Sequence, residues 1–385
     1  MSHSKPPTHE NTACWVEVDL SALRRNFRLV RRRIPPDTPV ISIIKANAYG
    51  HGAVPVARAL VEEGASILGV ANVEEARELR VAGISGRVMV MGRTIEADLE
   101  KAVRWNVELT IPHTRLAEKL SEIAVGRGRR MKVHLKVDTG MSRLGVPWHD
   151  ALQEATAIRG LPALEMVGVY THFANADLAD TEMTRIQIER FEEVRNSLRK
   201  SGFPGNLYHL ANSAAVLTSR YPEGTGVRPG IMLYGAAPSP DTATGELSPI
   251  LTWKCRVIQV KDIPPGTGIS YGHDFITSRD SRIATIAVGY ADGYPRSLTN
   301  CGQVLLGGKR VPVVGRVTMD MTMVDITGID GIFPGDEAVV IGQQGDVSVT
   351  AEEIADLCHT INYEIFCGIS SRVPRFYHDE GLKGT

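Results

Sequence analysis

Lys45 is the residue whose type and position could carry out chemistry by itself. It follows a run of β-branched residues that ends at Ile44, and the glycine-rich segment Tyr49-Gly-His-Gly52 comes soon after it. The run predicts a buried strand with one cation at its end. A buried lysine has a lowered pKa, which makes its amine nucleophilic toward carbonyl groups. A lysine that only extends its ammonium group to solvent gives the same pattern, so other residues must decide.

Strand-like and helix-like patterns alternate around Lys45, from residue 40 to about residue 235. Eight strand candidates lie at 40–46, 67–71, 87–92, 107–111, 132–138, 166–172, 207–211 and 226–228. Amphipathic segments separate them, for example at 72–82, 95–105, 113–125, 180–202 and 212–220. A doubly wound sheet also alternates in this way, but eight units in about 200 residues match a small (β/α)8 barrel. We therefore predict an α/β fold that begins with a TIM-type (β/α)8 barrel.

A change in sequence pattern near residue 240 predicts a second domain. Strand candidates dominate from there on, at 252–260, 282–288, 304–306, 311–317, 322–326 and 338–341, with one helix candidate at 351–360. We predict a flexible tail over residues 1–13, the barrel domain over 14–240 and a mostly-β C-terminal domain over 241–385. An early strand at 14–20 could pair either with the barrel or with the C-terminal domain.

Composition argues against several classes of protein. The chain has 385 residues and a net charge of −1, which gives no electrostatic reason to expect nucleic acid or an anionic membrane as partner. No apolar run reaches the length of a membrane span, and the polar start lacks the apolar core of a secretory signal. Five scattered cysteines without metal-ligand spacing are typical of free thiols in a reducing cytoplasm. We expect a cytoplasmic protein without a metal site.

Polar side chains fall at the ends of the predicted barrel strands, where barrel enzymes carry out their chemistry. They are Lys45 after strand one, Lys136, Asp138 and Arg143 at strand five, His172 at strand six, Asn212 and Ser213 after strand seven, and Arg228, Gly230 and Ile231 after strand eight. Each has an ordinary structural explanation, such as a helix N-cap for Ser213. Their joint placement on one rim of the barrel favours a site.

The loops after strands seven and eight are where barrels commonly bind phosphate. Ser213 offers a hydroxyl group, and the backbone N–H groups of Gly230 and Ile231 can point at an anion. A phosphate there and a carbonyl carbon at Lys45 together describe pyridoxal 5'-phosphate (PLP). The sequence has neither a P-loop nor a dinucleotide-binding glycine motif, which argues against ATP and NAD.

These residues resemble the alanine racemase family, which consists of fold-type III PLP enzymes, over roughly residues 15 to 376. The motifs that carry the resemblance are IKANAYGHG (44–52), KVDTGMSRLG (136–145), THFA (171–174), ANS (211–213), VRPGI (227–231), SYG (270–272), GYADGYPR (289–296), GRVTMD (315–320), NYE (362–364) and RVPR (372–375). The resemblance implies a homodimer whose active sites are shared between subunits. It also implies interconversion of L-alanine and D-alanine, which supplies D-alanine for peptidoglycan.

Residue roles follow from the resemblance, position by position. It makes Lys45 the PLP anchor and one catalytic base, and Tyr271 of the other subunit the opposite base. It places Arg228 at the pyridine nitrogen of PLP and His172 beside the ring. A phenol needs a nearby cation to ionise, and Arg228 and His172 are the candidates. PLP contacts are implied at Lys45, Tyr49, His172, Asn212, Ser213, Arg228, Gly230 and Ile231, and substrate contacts at Arg143 and Met319. Lys136 matches a position that is often carbamylated in the family.

Three positions depart from the family pattern. Ser142 stands where glycine or asparagine is frequent, and we expect no effect from it. Ser371 stands where a tyrosine usually narrows the substrate pocket, and Thr318 stands where cysteine is common. The reaction type is unaffected, but a broad-specificity or serine racemase of the same fold stays open. A fold-type III decarboxylase is a further alternative, against which Tyr271 argues. A small PLP-carrier protein is another, against which the second domain argues.

Overall fold

The computed structural model describes residues 9–92, 94–203 and 207–379, so residues 1–8 of the predicted tail lie outside the described part. Contacts divide the chain into two compact units. The barrel unit comprises Ala22–Ala48 and Ala53–Ser248. The β-rich unit takes the described residues up to Ser21, together with Tyr49–Gly52 and the chain from Pro249 on. This division differs from the predicted boundaries at 13/14 and 240/241.

The described barrel unit contains eight parallel strands that pair in chain order, besides the short strand Val146–Pro147, which pairs with the fifth of them. The eight are Ile41–Ile43, Ile67–Val70, Arg87–Val90, Glu108–Ile111, Met131–Asp138, Leu164–Tyr170, Leu207–Ala211 and Gly226–Val227. A β-bridge between Val40 and Val227 brings the last strand beside the first, and the Val227 N–H donates to the Pro39 carbonyl at 2.9 Å. This nearly closed barrel confirms the predicted fold.

Helices alternate with these strands and present their apolar faces to the barrel. They are Leu20–Arg32, Ala53–Glu62, Val73–Val81, Leu99–Trp105, Thr114–Gly126, Ala151–Arg159, Glu182–Lys200 and Ser213–Thr218. Side-chain caps fix several of the starts, because the first N–H groups of a helix lack partners inside it. Asn72 accepts from the Glu75 N–H, and Asn212 accepts from the Ala215 N–H. None of the described helices is both long enough and apolar enough to cross a bilayer.

The β-rich unit is built around one long strand, Leu251–Ile263. That strand pairs antiparallel with Cys14–Asp19, Ser281–Ile286 and Glu337–Gln344. The other strands are Gly268–Ile269, Phe275–Ile276, Gln303–Leu306, Lys309–Pro312, Thr322–Asp325, Val347–Val349 and Arg375–His378, and the helices are Ala351–Leu357 and Asn362–Gly368. The mostly-β character predicted for the C-terminal part is therefore confirmed.

The structure decides one alternative that the sequence left open, and it differs from one strand prediction. The strand Cys14–Asp19 pairs with Leu251–Ile263 and Arg375–His378, so it belongs with the C-terminal strands and not with the barrel. The strand predicted over 311–317 ends at Pro312, and beyond it only an isolated bridge between Val313 and Val324 remains. Proline lacks the N–H that would continue a ladder, which explains the interruption.

Candidate active site

Lys45 begins a single left-handed turn, Lys45–Tyr49, directly after the first barrel strand. Ala46, Asn47 and Ala48 all have φ of 53°, and Tyr49 has the same value. This conformation costs about 1–2 kcal/mol for each residue that carries a Cβ atom. The turn lifts Lys45 away from the core, so its side chain is exposed in the single chain, in contrast to the predicted burial. Backbone strain of this kind persists only where surrounding contacts hold it in place. It is typical of functional sites.

The carboxylate of Glu75 holds this turn from the neighbouring strand–helix connection. One oxygen accepts from the Ala46 N–H at 2.9 Å, and the other accepts from the Ala71 N–H at 2.7 Å. Asn47 adds a second anchor by accepting from the Ala53 N–H at 2.8 Å. Glu75 was not among the predicted site residues. The sequence signal available for it was its position three residues after the N-cap Asn72, which is the spacing of a capping box.

Arg228 lies at the centre of the barrel site, where its side chain is only 2% exposed. Its terminal nitrogens donate to the Thr171 carbonyl at 2.7 Å, the Leu210 carbonyl at 3.0 Å and His172 Nδ1 at 3.1 Å. Its Nε is buried and has no hydrogen-bond partner among the described residues. A buried donor without a partner is costly. The Nε atom therefore fits a ligand that presents an acceptor, as the ring nitrogen of PLP does.

Burial determines the charge states around Arg228. It lowers the pKa of the Arg228 guanidinium to about 10, which leaves the group protonated at neutral pH. Burial, followed by the nearby charge of Arg228, lowers the pKa of His172 well below its ordinary value. His172 is therefore neutral, and its Nδ1 can accept the hydrogen bond from Arg228. The cationic role considered for His172 beside Tyr271 is not consistent with this environment.

Lys136 is a buried amine that forms no ion pair with a carboxylate among the described residues, although Asp138 is near enough to act on its charge. Its side chain is 7% exposed, and its Nζ lies 4.2 Å from the centroid of the Tyr170 ring. Burial, together with the charges of Arg228 and Arg143, lowers its pKa well below the ordinary value. This environment favours the neutral, nucleophilic form of the amine. Arg143 itself is exposed, on a loop whose N–H groups bind the Asp138 carboxylate.

The predicted phosphate residues come together after the seventh and eighth strands, with one difference in roles. Ser213 Oγ accepts from the Gly230 N–H at 2.8 Å, so this N–H is engaged within the protein. Asn212, and not Ser213, caps the helix, by accepting from the Ala215 N–H at 3.0 Å. The Ser213 hydroxyl hydrogen is not donated to any described residue. It can therefore be donated to an anion beside the buried Ile231.

In the β-rich unit, the segment Tyr49–Gly52 packs against the last helix and strand. The Tyr49 and Tyr363 rings lie 5.8 Å apart. A Cβ atom on Gly50 would lie 2.2 Å from the Phe366 carbonyl oxygen, and one on Gly52 would lie 1.9 Å from the Tyr377 hydroxyl. Both glycines are thus required by close packing as well as by positive φ. Burial raises the pKa of Tyr49, so its hydroxyl remains a donor.

Tyr271 and Met319 are exposed side chains of the β-rich unit, at 72% and 52% of their full surface. The loops that carry the family motifs bind one another there. The Tyr290 N–H donates to the Thr318 carbonyl at 3.0 Å, and the Ala291 N–H donates to the Met319 carbonyl at 2.9 Å. Large exposed apolar side chains in loops held this firmly are typical of an interaction surface.

Arg372 joins two of these loops. It was not among the predicted site residues. Its guanidinium binds the buried Asp292 at 2.7 Å and Asp320 at 2.8 Å. Asp292 also accepts from the Gly289 N–H at 2.9 Å. Arg372 therefore fixes the loop that carries Met319, and the exposed Ser371 lies next to it in the chain.

Comparison with known proteins identifies the family. The family models for the alanine racemase N-terminal and C-terminal domains match residues 18–238 and 250–377. An alanine racemase of Carboxydothermus hydrogenoformans is 46% identical over 367 residues, covering 94% of this chain and 99% of that protein. One of Halothermothrix orenii is 44% identical over 367 residues, covering 95% of this chain and 97% of that protein.

Solved structures agree with the sequence relatives. Alanine racemase from Clostridium difficile has a TM-score of 0.92 at 36% identity, covering 96% of this chain and 97% of that chain. Alanine racemase from Bacillus anthracis, solved with bound L-Ala-P, has a TM-score of 0.90 at 38% identity, covering 98% of this chain and 97% of that chain. The chain therefore belongs to the alanine racemase family of amino-acid racemases.

Proposed function

We propose that this chain is a PLP-dependent racemase that interconverts L-alanine and D-alanine by a two-base mechanism. The observation that carries the proposal is the barrel site. Lys45 stands on a strained turn at the end of the first strand, and the unpartnered Nε of Arg228 lies in the same barrel. Alanine as the substrate is supported by relatives and neighbours named alanine racemase over nearly the whole chain.

The residues of the barrel site can bind three parts of PLP, which are the carbonyl carbon, the ring nitrogen and the phosphate group. Lys45 supplies the amine that anchors the carbonyl carbon, and Arg228 Nε donates to the ring nitrogen. The Ser213 hydroxyl and the backbone beside Ile231 serve the phosphate group, and the resemblance assigns Tyr49 and Gly230 there and makes Asn212 a further PLP contact. When bound, PLP spreads the negative charge that remains at the substrate Cα after proton removal. A guanidinium hardly ever releases its proton, so Arg228 donates a hydrogen bond and not a proton.

Racemisation requires a proton acceptor on each face of the substrate, because one base tends to return the proton to the face it came from. We assign Lys45 to one face and Tyr271 of the partner subunit to the other. A nearby cation stabilises the phenolate form that such a base requires. Arg228 is the candidate, since His172 is neutral. Arg143 and the Met319 backbone would hold the substrate carboxylate.

Lys136 is a candidate for carbamylation, as the resemblance implies. Its neutral amine can form a bond to the carbon of CO2 and release a proton, which leaves a carbamate anion. Burial and the two neighbouring cations oppose the ammonium form, and the cations also stabilise the negative charge of the product. The carbamate would then pair with Arg143 and position it for the substrate.

We further propose that the enzyme is a cytoplasmic homodimer that supplies D-alanine for peptidoglycan. The exposed Tyr271 and Met319 support a second copy as partner, because both residues lie on the surface of the single chain. A second candidate, a broad-specificity or serine racemase, is favoured by Ser371. A serine at this position leaves room that the usual tyrosine would fill.

Chiral analysis of products tests the proposal. The PLP-loaded enzyme is incubated with a panel of L-amino acids, and each D-enantiomer is quantified by chiral chromatography. We expect D-alanine to form fastest, and Lys45→Ala to reduce its formation at least about a thousandfold. Lys132→Ala, which removes an exposed lysine of the same barrel, is the matched control and should retain activity. Equal activity of Lys45→Ala and Lys132→Ala would exclude the assignment.

A further inference from the structure

A chain of hydrogen bonds inside the barrel connects Arg228 to a carboxylate at the opposite end of the strands. Arg228 contacts His209 Nδ1 at 3.2 Å, and His209 Nε2 contacts His134 Nδ1 at 3.2 Å. His134 Nε2 contacts a Glu108 oxygen at 2.9 Å, and Arg87 donates to both oxygens of Glu108. The two imidazoles are fully buried and Glu108 is nearly so. Among the described residues, no carboxylate touches Arg228 directly.

Only one arrangement of protons satisfies every link in this chain. A guanidinium can only donate and an ionised carboxylate can only accept, whereas a neutral imidazole has one donor and one acceptor. His209 must therefore accept from Arg228 at Nδ1 and donate from Nε2. His134 must accept at Nδ1 and donate from Nε2 to Glu108. The carboxylate at one end and the guanidinium at the other thus determine both tautomers.

The environment keeps each member in the required charge state. Burial, then the charge of Arg228, lowers the pKa of His209 well below its ordinary value. Burial also lowers the pKa of His134, outweighing the opposing effect of the hydrogen bond that His134 donates to Glu108. Burial alone would raise the pKa of Glu108, but hydrogen bonds from His134 and Arg87 lower it to about 2. At neutral pH both imidazoles are therefore neutral and the carboxylate is ionised.

The surrounding barrel strands leave room for this contact and hold it. A Cβ atom on Gly168 would lie 2.1 Å from His134 Nδ1, so glycine is required for the imidazoles to meet. The Tyr170 ring stacks on the His209 ring at 4.6 Å with an angle of 7° between the planes. The imidazole rings of His134 and His209 are thus held in place by packing as well as by hydrogen bonds.

We propose that Glu108 is a positioning residue for Arg228, acting by setting the tautomers of His134 and His209 so that His209 accepts from the guanidinium. This acceptor holds one terminal nitrogen of Arg228 and thereby leaves Nε aimed at the ligand. Arg87 contributes to the same positioning, because it donates hydrogen bonds to both carboxylate oxygens of Glu108. The link from Glu108 to PLP binding rests on the proposed function, whereas the tautomers do not.

Glu108→Gln should reverse the chain. Arg87 can only donate and will retain the single amide oxygen, so the amide nitrogen faces His134 Nε2. His134 then accepts there and donates from Nδ1, and His209 in turn carries its proton on Nδ1, opposite the Arg228 N–H. The double variant Arg87→Met/Glu108→Gln frees the amide oxygen for His134 and should restore both tautomers. Glu63→Gln is the matched control, since Glu63 binds Arg28 with both oxygens but contacts no histidine.

Histidine ¹⁵N NMR on the full chain, with and without PLP, reads the tautomers, and titration with PLP gives its affinity. We expect Nε2–H at His134 and His209 in the wild type and Nδ1–H in Glu108→Gln. PLP affinity should fall about tenfold, or about 1.4 kcal/mol, and recover in the double variant. A wild type with Nδ1–H at either histidine overturns the proposal even if Glu108→Gln fails to fold. So does a Glu108→Gln protein whose spectra and PLP affinity match those of Glu63→Gln. A wild type that binds no PLP but shows the expected tautomers would contradict the proposed function alone.

Discussion

The strained turn after Lys45 predicts an unusually large effect for one surface substitution, Glu75→Gln. Four successive residues with positive φ, Ala46 to Tyr49, cost together about 4–8 kcal/mol. The Glu75 carboxylate offsets part of this cost by accepting two backbone N–H groups. A glutamine has only one oxygen, so its NH2 group must face one of the two donors. Losing one hydrogen bond to a charged group and creating a donor–donor contact should cost about 2–3 kcal/mol.

Two assays measure this effect. Urea denaturation followed by circular dichroism gives the change in the free energy of unfolding, and dilution of the PLP-loaded protein gives the rate of PLP loss. Glu78→Gln is the control, because it makes the same chemical change at an exposed position on the same helix. Glu75→Gln should be less stable than this control and should lose PLP faster. If the two variants agree within about 0.5 kcal/mol, the carboxylate does not hold the turn.

Three further predictions concern the remaining site residues. Lys45→Ala and Tyr271→Phe homodimers should each be nearly inactive, whereas mixing them under subunit exchange should restore about a quarter of wild-type activity; hybrids that form without recovery would mean that each site uses a single chain. Ser371→Tyr should lower the ratio of kcat/KM for L-serine over L-alanine about tenfold, and an unchanged ratio would show that other residues shape the pocket. Protein exposed to ¹³C-bicarbonate should show a carbamate carbon signal by NMR that disappears in Lys136→Ala; a signal that persists would come from another amine.

Much of the barrel could be predicted from sequence because its strands are short buried runs separated by capped helices. The predicted strand 207–211 coincides with Leu207–Ala211, and 67–71 exceeds Ile67–Val70 by one residue. Burial on both faces makes such runs continuously apolar, which is the strongest strand signal available. The rim residues followed from the rule that barrel chemistry lies at strand ends.

The remainder depends on contacts between residues distant in sequence. The strand Cys14–Asp19 has no local feature that selects its partner, and it pairs with Leu251–Ile263 more than 230 residues later. The exposure of Lys45 follows from a left-handed turn of non-glycine residues, which local preferences disfavour. Arg372 and Glu108 likewise act on groups that lie far from them in the chain, so residue type and spacing did not reveal them. Glu75 has a local partner, the Ala71 N–H, but its contact with the Ala46 N–H joins residues 29 positions apart.

The assignment of Lys45 as the PLP anchor is tested most directly by identifying the lysine to which the cofactor is attached. The purified protein, saturated with PLP, should be yellow, and borohydride reduction should fix the cofactor covalently. Digestion and mass spectrometry should then locate the adduct on Lys45 alone, and Lys45→Ala should yield no reduced adduct. The assignment of Lys45 as the anchor would be contradicted by an adduct on Lys136 or any other lysine. It would also be contradicted by a wild-type protein that cannot be labelled after PLP saturation.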